Sequence, residues 1–284
     1  MTKTAIVFRG DLFPLPLGGL LLMFYHLQCM RKTPHCKSQL IITGEKEFPV
    51  LSIVKMLNFP IEVKIVKDKS LKFSEDWTVI PKDFLNDNIS AATYDYGLYE
   101  LLGEIRGQGA SNLLIRKDIV DEAKRILTLK AAERIKVAVH LKSVAGQDGQ
   151  SNANLPIWQN FFEKCSGDQF HFFLIGQDHM PSAIKNLPNV TVVQDVTTDV
   201  QTHLCLIGEA DMFLGMSSGL CQMAIFGSKP YAVFKNPDHH AEDIAKLLNS
   251  GTQFRFAGTN QFFLREYESV DRLLNLTNKF CAKN

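Results

Sequence analysis

Val190–Lys235 reads VTVVQDVTTDVQTHLCLIGEADMFLGMSSGLCQMAIFGSKPYAVFK. An apolar run rich in valine is followed by a polar loop and a short helical pattern. A second apolar run, a small-residue turn, another helical pattern and a third apolar run come next. That alternation predicts a parallel α/β unit. At its centre the run Met212 to Gly215 ends in Ser217-Ser218-Gly219, and Leu220 to Phe226 has the apolar spacing of a buried helix. The turn is therefore expected at a helix N-terminus, where backbone N–H groups and the helix dipole favour an anion such as a phosphate. The alternative is that Ser217 simply caps the helix.

Working outward, the 284 residues allow one large domain or two smaller ones with ample core. Thirty-one Lys and Arg against thirty Asp and Glu give a net charge of +1, with no basic or acidic block, so nucleic acid is excluded as a partner. The six cysteines form no CxxC pair, and Cys205 and Cys221 sit in apolar segments. They read as core residues or bystanders in a reducing compartment, with no disulfide frame or zinc site. Leu12 to Leu27 is apolar, but Arg9 and Asp11 interrupt its approach, prolines and glycines break it, and it falls short of the ~20 residues of a span. A loop and a buried helix in a cytoplasmic protein are expected there.

The first half opens with a predicted strand, Thr4 to Phe8, a loop from Arg9 to Gly19 and a helix from Leu20 to Met30. Strands at Gln39–Thr43 and Ile61–Val66 and helices at Phe48–Leu57, Tyr94–Ile105 and Ile119–Leu129 follow. A second α/β unit begins at Ile135–Leu141, IKVAVHL, a run suited to a strand buried on both faces. It continues through a polar loop to Asn154, a helix at Pro156–Cys165, a strand at His171–Ile175, the segment quoted above, and helices at Ala241–Leu248 and Val270–Ala282. The expected architecture is two Rossmann-like parallel-sheet domains, 1–132 and 133–284, facing a central cleft.

The order VAVHLKS, FHFFLIG, NVTVVQD and EADMFLGMSSGLCQMAIFGSKPYAVF resembles the nucleotide-sugar-binding domain of GT-B glycosyltransferases. The last element is similar to that of the inverting ADP-heptose:lipopolysaccharide heptosyltransferases, with Gly227-Ser228-Lys229-Pro230 before the final strand. Gly10-Asp11 trailed by Leu15-Pro16, and Tyr99-Glu100-Leu101-Leu102-Gly103, extend the likeness to the first half. The chain departs by setting its proline one position nearer the Asp and by adding Gly18-Gly19. Gln222 also stands about where those enzymes have a His facing the donor, which argues against ADP-heptose itself as donor.

The resemblance implies an enzyme that transfers a sugar from a nucleotide-diphosphate sugar to a glycan or lipid-linked acceptor, with inversion. Such a reaction needs a base for the acceptor hydroxyl and groups that stabilise the departing diphosphate. Asp11, after the first strand, is assigned the base role; its alternative is a turn cap. Lys142, Ser217, Ser218 and Gly219 are assigned to the donor diphosphate, and Gly176, Gln177 and Glu209 to the base or ribose. Arg9 and Gly10 are acceptor or phosphate contacts, Arg9 being equally suited to an ion pair. His140 reads as a satisfied core histidine. Asp238-His239-His240 lacks a third clustered ligand for a metal. No Asp-X-Asp triplet occurs, so metal-independent catalysis without a cofactor is expected. Gly107-Gln108-Gly109 follows a helical stretch and lacks the third glycine of a dinucleotide loop, and a P-loop motif is absent. The competing readings are a nucleotide-sugar epimerase and a non-catalytic binding module of the same fold. Arg31, Lys32 and Lys37 beside an apolar helix raise a peripheral membrane contact.

Overall fold

The computed structural model describes residues 3–30, 37–44, 49–67, 71–82, 97–100, 103, 112–143, 152–237, 241–249 and 251–282. Arg31 and Lys32, Gly107-Gln108-Gly109, Asp238-His239-His240, most of the polar loop after Ser143 and part of the Tyr94–Ile105 helix lie outside them. The chain divides into two compact units, Met1–Leu114 and Ile115–Asn284. The sequence placed the division at 132. Helix α2 (Lys117–Ala131) accounts for the difference, because it belongs to the second unit. Its Ile119, Ala123, Ile126, Leu127 and Ala131 recur at helical spacing and form one buried face, packed on a helix of that unit.

In the first unit, β1 (Lys3–Phe8), β2 (Lys37–Thr43), β3 (Glu62–Val66) and β4 (Trp77–Ile80) form a parallel sheet in the order β3-β2-β1-β4. The central strands β1 and β2 are buried on both faces, whereas the edges alternate with exposed positions such as Glu62 and Lys64. Charged edges resist pairing with another chain. Strand β4 was not anticipated. Helix α1 (Leu17–Met30) starts three residues before the predicted Leu20, its Leu20 N–H bonding the Pro16 carbonyl at 3.1 Å. Gly19 through Leu27 are all buried, so α1 is covered on every side. The segment expected as a helix from Phe48 is a 3-10 helix, Pro49–Met56.

The second unit carries β5 (Ile135–His140), α3 (Leu155–Lys164), β6 (Phe170–Leu174), α4 (Ser182–Lys185), β7 (Val190–Val192), α5 (Val200–Glu209) and β8 (Met212–Met216). There follow α6 (Gln222–Ile225), β9 (Tyr231–Phe234), α7 (Ala241–Leu247), the two-stranded ribbon β10 (Leu248–Asn249) and β11 (Gln253–Phe254), β12 (Gln261–Leu264) and α8 (Val270–Cys281). Six strands form a parallel sheet in the order β12-β9-β8-β5-β6-β7. The chain thus starts in the middle, winds out through β6 and β7, and returns to the other side of β5 with β8. This is a doubly wound sheet.

One face of this sheet, Val137, Val139, Phe172, Leu214 and Phe234, is sealed by Trp158, Phe161 and Phe162 of α3 and by Leu273, Leu276 and Phe280 of α8. Phe162 and Phe172 lie 4.7 Å apart between ring centroids, and Trp158 meets Phe161 edge-on at 5.9 Å. Such contacts add to the area they bury. The Trp158 indole N–H, at 3.3 Å, and the Asn154 backbone N–H, at 2.5 Å, both donate to the buried Glu268 carboxylate, which ties the start of α3 to the segment before α8.

Strands β5 and β8 can lie side by side only because residue 215 has no side chain. A Cβ there would stand 2.5 Å from the His140 carbonyl oxygen and 2.8 Å from its nitrogen. Gly215→Ala should therefore destabilise the protein by about 3 kcal/mol or more, read as a lower urea midpoint; an unchanged midpoint would show that the two strands separate without penalty. Burial also sets a pH dependence. His26, inside α1, has no hydrogen-bond partner at either ring nitrogen among the described residues, and burial pushes its pKa down to about 4. The unfolded chain then binds a proton between the ordinary pKa of 6.5 and about 4 that the folded chain refuses. Stability should be level above neutrality and fall as pH drops through that window, with a limiting slope of about 1.4 kcal/mol per pH unit for this one residue. His26→Leu should flatten the melting-temperature profile there.

Candidate functional site

A doubly wound sheet opens a crevice where its strand order reverses, outside the C-terminal ends of the two strands that flank the reversal. Here those strands are β5 and β8, paired through His140 and Gly215. Lys142 follows β5 and Ser217-Ser218-Gly219 follows β8. Gly176 and Gln177 follow β6 on one side, and Lys235 follows β9 on the other. The topology thus gathers six residues expected to hold a donor, Lys142, Gly176, Gln177, Ser217, Ser218 and Gly219, along one edge of one sheet. Glu209 is not among them. It ends α5, and a helix leading into a parallel strand ends at the opposite edge, where Glu209 pairs with Lys124 at 3.4 Å. Its neighbour Asp211 accepts from the Lys136 N–H at 2.8 Å, at the start of β5. The ribose assignment of Glu209 is therefore corrected: it is a charge at a helix end.

The turn after β8 also differs from its expected form. Helix α6 is one turn, not the full Leu220–Phe226, and its N-cap residue is Cys221, which makes no side-chain capping bond. So short a helix supplies little dipole. The Ser217 N–H donates to the Phe234 carbonyl at 2.8 Å and the Ser218 N–H to the Cys221 sulfur at 3.4 Å, while the Cys221 thiol donates to the Ser218 carbonyl at 2.8 Å. Burial pushes that thiol up to about 11, so it stays protonated. Two amides expected to cradle a phosphate are thus spent inside the fold, and Ser217 does not cap the helix. What the turn offers is side-chain oxygen: Ser218 Oγ and Gln222 Oε1 are buried with no partner among the described residues. Buried polar atoms in that condition call for a ligand or an ordered water.

A fully bonded polar layer holds the adjoining loops. The His140 ring donates from Nδ1 to the Ile175 carbonyl at 2.9 Å, and burial lowers its pKa. The Gly176 N–H donates to His203 Nδ1 at 3.2 Å, which leaves the His203 proton on Nε2, bonded to the Thr197 carbonyl at 2.8 Å. Gly176 has φ +114°, and a Cβ there would press on the His140 ring at 3.0 Å. Asp178 accepts from the Ser143 N–H at 2.8 Å, and the Lys142 carbonyl accepts from the Ala153 N–H at 2.8 Å, so the backbone on both sides of the Lys142 loop is pinned.

In the first unit, Arg9, Gly10 and Asp11 turn sharply out of β1, with the Gly10 N–H bonded to the Phe8 carbonyl at 3.1 Å. The Arg9 guanidinium is buried and grips Asp11 with two bonds, Nε to Oδ1 and Nη2 to Oδ2, each 2.7 Å. Thr43, at the end of β2, donates its hydroxyl to the same Oδ1. Gly44, at φ +122°, lets the two strand ends close up, since a Cβ there would meet the Asp11 nitrogen at 3.2 Å. Arg9 is thus an internal ion-pair partner in place of the acceptor or phosphate contact.

No family model matches the sequence, and no curated protein matches it. Solved structures do. A glycosyl transferase family 9 protein from Veillonella parvula aligns with a TM-score of 0.59 at 11% identity, over 100% of this chain and 98% of that one. The E. coli ADP-heptose lipopolysaccharide heptosyltransferase II gives 0.58 at 10% identity over 100% and 99%. The E. coli heptosyltransferase WaaC, solved with ADP, gives 0.57 at 11% over 99% and 99%.

The fold is that of the GT-B glycosyltransferases.

Sequence reading gave no role to Lys235, at this edge of the second unit, or to Thr43, which bonds Asp11 in the first. A hydroxyl at the end of a strand, or an ammonium one step past one, was the available signal. Among the described residues no cluster of three His, Cys, Asp or Glu is placed to hold a metal. No described helix is long and apolar enough to cross a membrane. Of the basic cluster beside α1, the described member Lys37 pairs with Glu62 at 3.4 Å and lies over the Trp77 ring at 5.8 Å. The Arg9–Asp11 pair makes a direct prediction. Arg9→Met should cost about 1–3 kcal/mol in urea unfolding, since the carboxylate it abandons is 17% exposed and can rehydrate. A loss below 0.5 kcal/mol would mean the pair is incidental to the turn.

Proposed function

We propose that the protein is a metal-independent, inverting glycosyltransferase acting on a nucleotide-diphosphate sugar and a glycan or lipid-linked acceptor. The observation that carries this reading is the sheet edge of the second unit. There Lys142, two residues past β5, shares the edge with a turn whose Ser218 and Gln222 oxygens are buried without partners among the described residues, at the reversal point where doubly wound sheets take nucleotides. The orphan oxygens suit the hydroxyls of a sugar or ribose, and Lys142 suits a phosphate. The similarity in fold to heptosyltransferases, one of them solved with ADP, supports the same class of donor.

In this reading Asp11 takes the proton of the acceptor hydroxyl as that oxygen attacks the anomeric carbon. The bond from that carbon to the diphosphate oxygen breaks, and the electron pair leaves with the diphosphate. Lys142 stabilises the charge that develops there. The Arg9 pair fixes the carboxylate's direction. It also draws on both oxygens, so the remaining lone pairs must serve the acceptor, or the pair must loosen. That engagement is the one observation favouring a second reading, a module that binds a nucleotide sugar without transferring it.

The test has two stages. Thermal unfolding against nucleoside diphosphates and their sugars, in EDTA, should show one base raising the midpoint by several degrees, since a ligand at 100 times its Kd adds about 2.7 kcal/mol. With that donor, Asp11→Asn should lower transfer by about 10²–10⁴ while leaving donor affinity unchanged. A panel that shifts nothing removes the donor site; a variant of full activity removes Asp11 as base and leaves the donor site standing.

A further inference from the structure

The turn after β8 has a lysine on each side of it. Strand order β9-β8-β5 puts Lys235, the residue after β9, and Lys142, two residues past β5, at the same sheet edge with Ser217–Gly219 between them. The register is tight. Met216 pairs with Phe234, the Ser217 N–H bonds the Phe234 carbonyl at 2.8 Å, and the Lys235 N–H bonds the Leu264 carbonyl at 2.9 Å. Lys235 therefore leaves the sheet level with Ser217. With neighbouring strands about 4.8 Å apart, β9 and β5 stand roughly 10 Å from each other, a gap that two long side chains can close over a ligand seated on the turn.

We propose that Lys235 is a second phosphate-binding cation, closing with Lys142 on the two phosphates of a nucleoside diphosphate seated over Ser217–Gly219. The inference rests on the donor-site reading above and adds to it a residue and a preference, for diphosphate over monophosphate. The electrostatics of the chain agree. Burial lowers the Lys235 pKa, the Lys142 charge lowers it further, and Cys221, which acts in the opposite direction, stays a thiol at neutral pH. Two ammonium groups that repel each other beside half-buried hydroxyls form an arrangement that a dianionic bridge relieves.

Isothermal titration with ADP, GDP, UDP and CDP, their monophosphates, and inorganic pyrophosphate as competitor distinguishes the outcomes. The wild-type chain should bind one diphosphate more tightly than its monophosphate, and pyrophosphate should compete. Lys235→Gln should weaken that diphosphate roughly ten- to a hundred-fold and change the monophosphate much less. Lys235→Arg should recover most of the binding, which a purely structural role for the lysine would not predict. Equal diphosphate affinity in the wild type and both variants overturns the role of Lys235 and leaves the donor site intact. A wild-type chain that binds none of the diphosphates overturns the donor site and the clamp together.

Discussion

The contact between His140 and Gly215 is the constraint on which the second unit depends. Their backbones approach so closely that residue 215 cannot carry a Cβ, and this approach joins β5 to β8 where the sheet reverses direction. Were the strands held apart, the loops after them would not share an edge. The same histidine then turns its ring toward β6, bonds the Ile175 carbonyl and packs under Gly176. One residue thus links three strand ends. Its cost is a buried imidazole that burial holds neutral, a cost the Ile175 bond offsets.

Polar groups along that edge fall into two sets. His140, His203, Asp178 and the amides of Ser143, Gly176, Ser217 and Ser218 are all bonded within the protein, and they hold the loops in place. Ser218 Oγ and Gln222 Oε1 are not, among the described residues, and they sit next to the lysine-bearing strand ends. A rigid frame around a few unsatisfied groups is the condition under which a site binds without reorganising. Stability is spent on holding those groups ready, consistent with a place where a ligand completes the structure.

The first unit solves a different problem. A sharp turn out of β1 brings a carboxylate near the sheet end, and the buried Arg9 guanidinium needs that carboxylate as a counter-charge. The pair, with Thr43, makes the turn a fixed object. Both Asp11 oxygens are thereby held in one direction by the guanidinium and the Thr43 hydroxyl.

The alternation of apolar runs with helical patterns was legible in the chain because it is local. A strand buried on both faces must read as IKVAVH or FHFFL, and a turn between strand and helix must be small and polar. That logic located Lys142, Gly176 and Ser217–Gly219 at strand ends. It missed β4 and β12, four residues each, the first an edge strand whose alternation is too short to stand out. It stretched α6, since apolar residues in a packed turn look like a helix face, and it cut the chain on the wrong side of α2, whose buried stripe says that it packs but not on what. Which strands are neighbours, that Glu209 falls at the far edge, that Arg9 turns inward to Asp11 and that Lys235 stands level with Ser217 follow from pairings between residues distant in sequence. The sequence by itself determined the kinds of element and the chemistry at their ends. Only tertiary structure decided which ends meet, because strand order is set by long-range packing and closure that no local periodicity encodes.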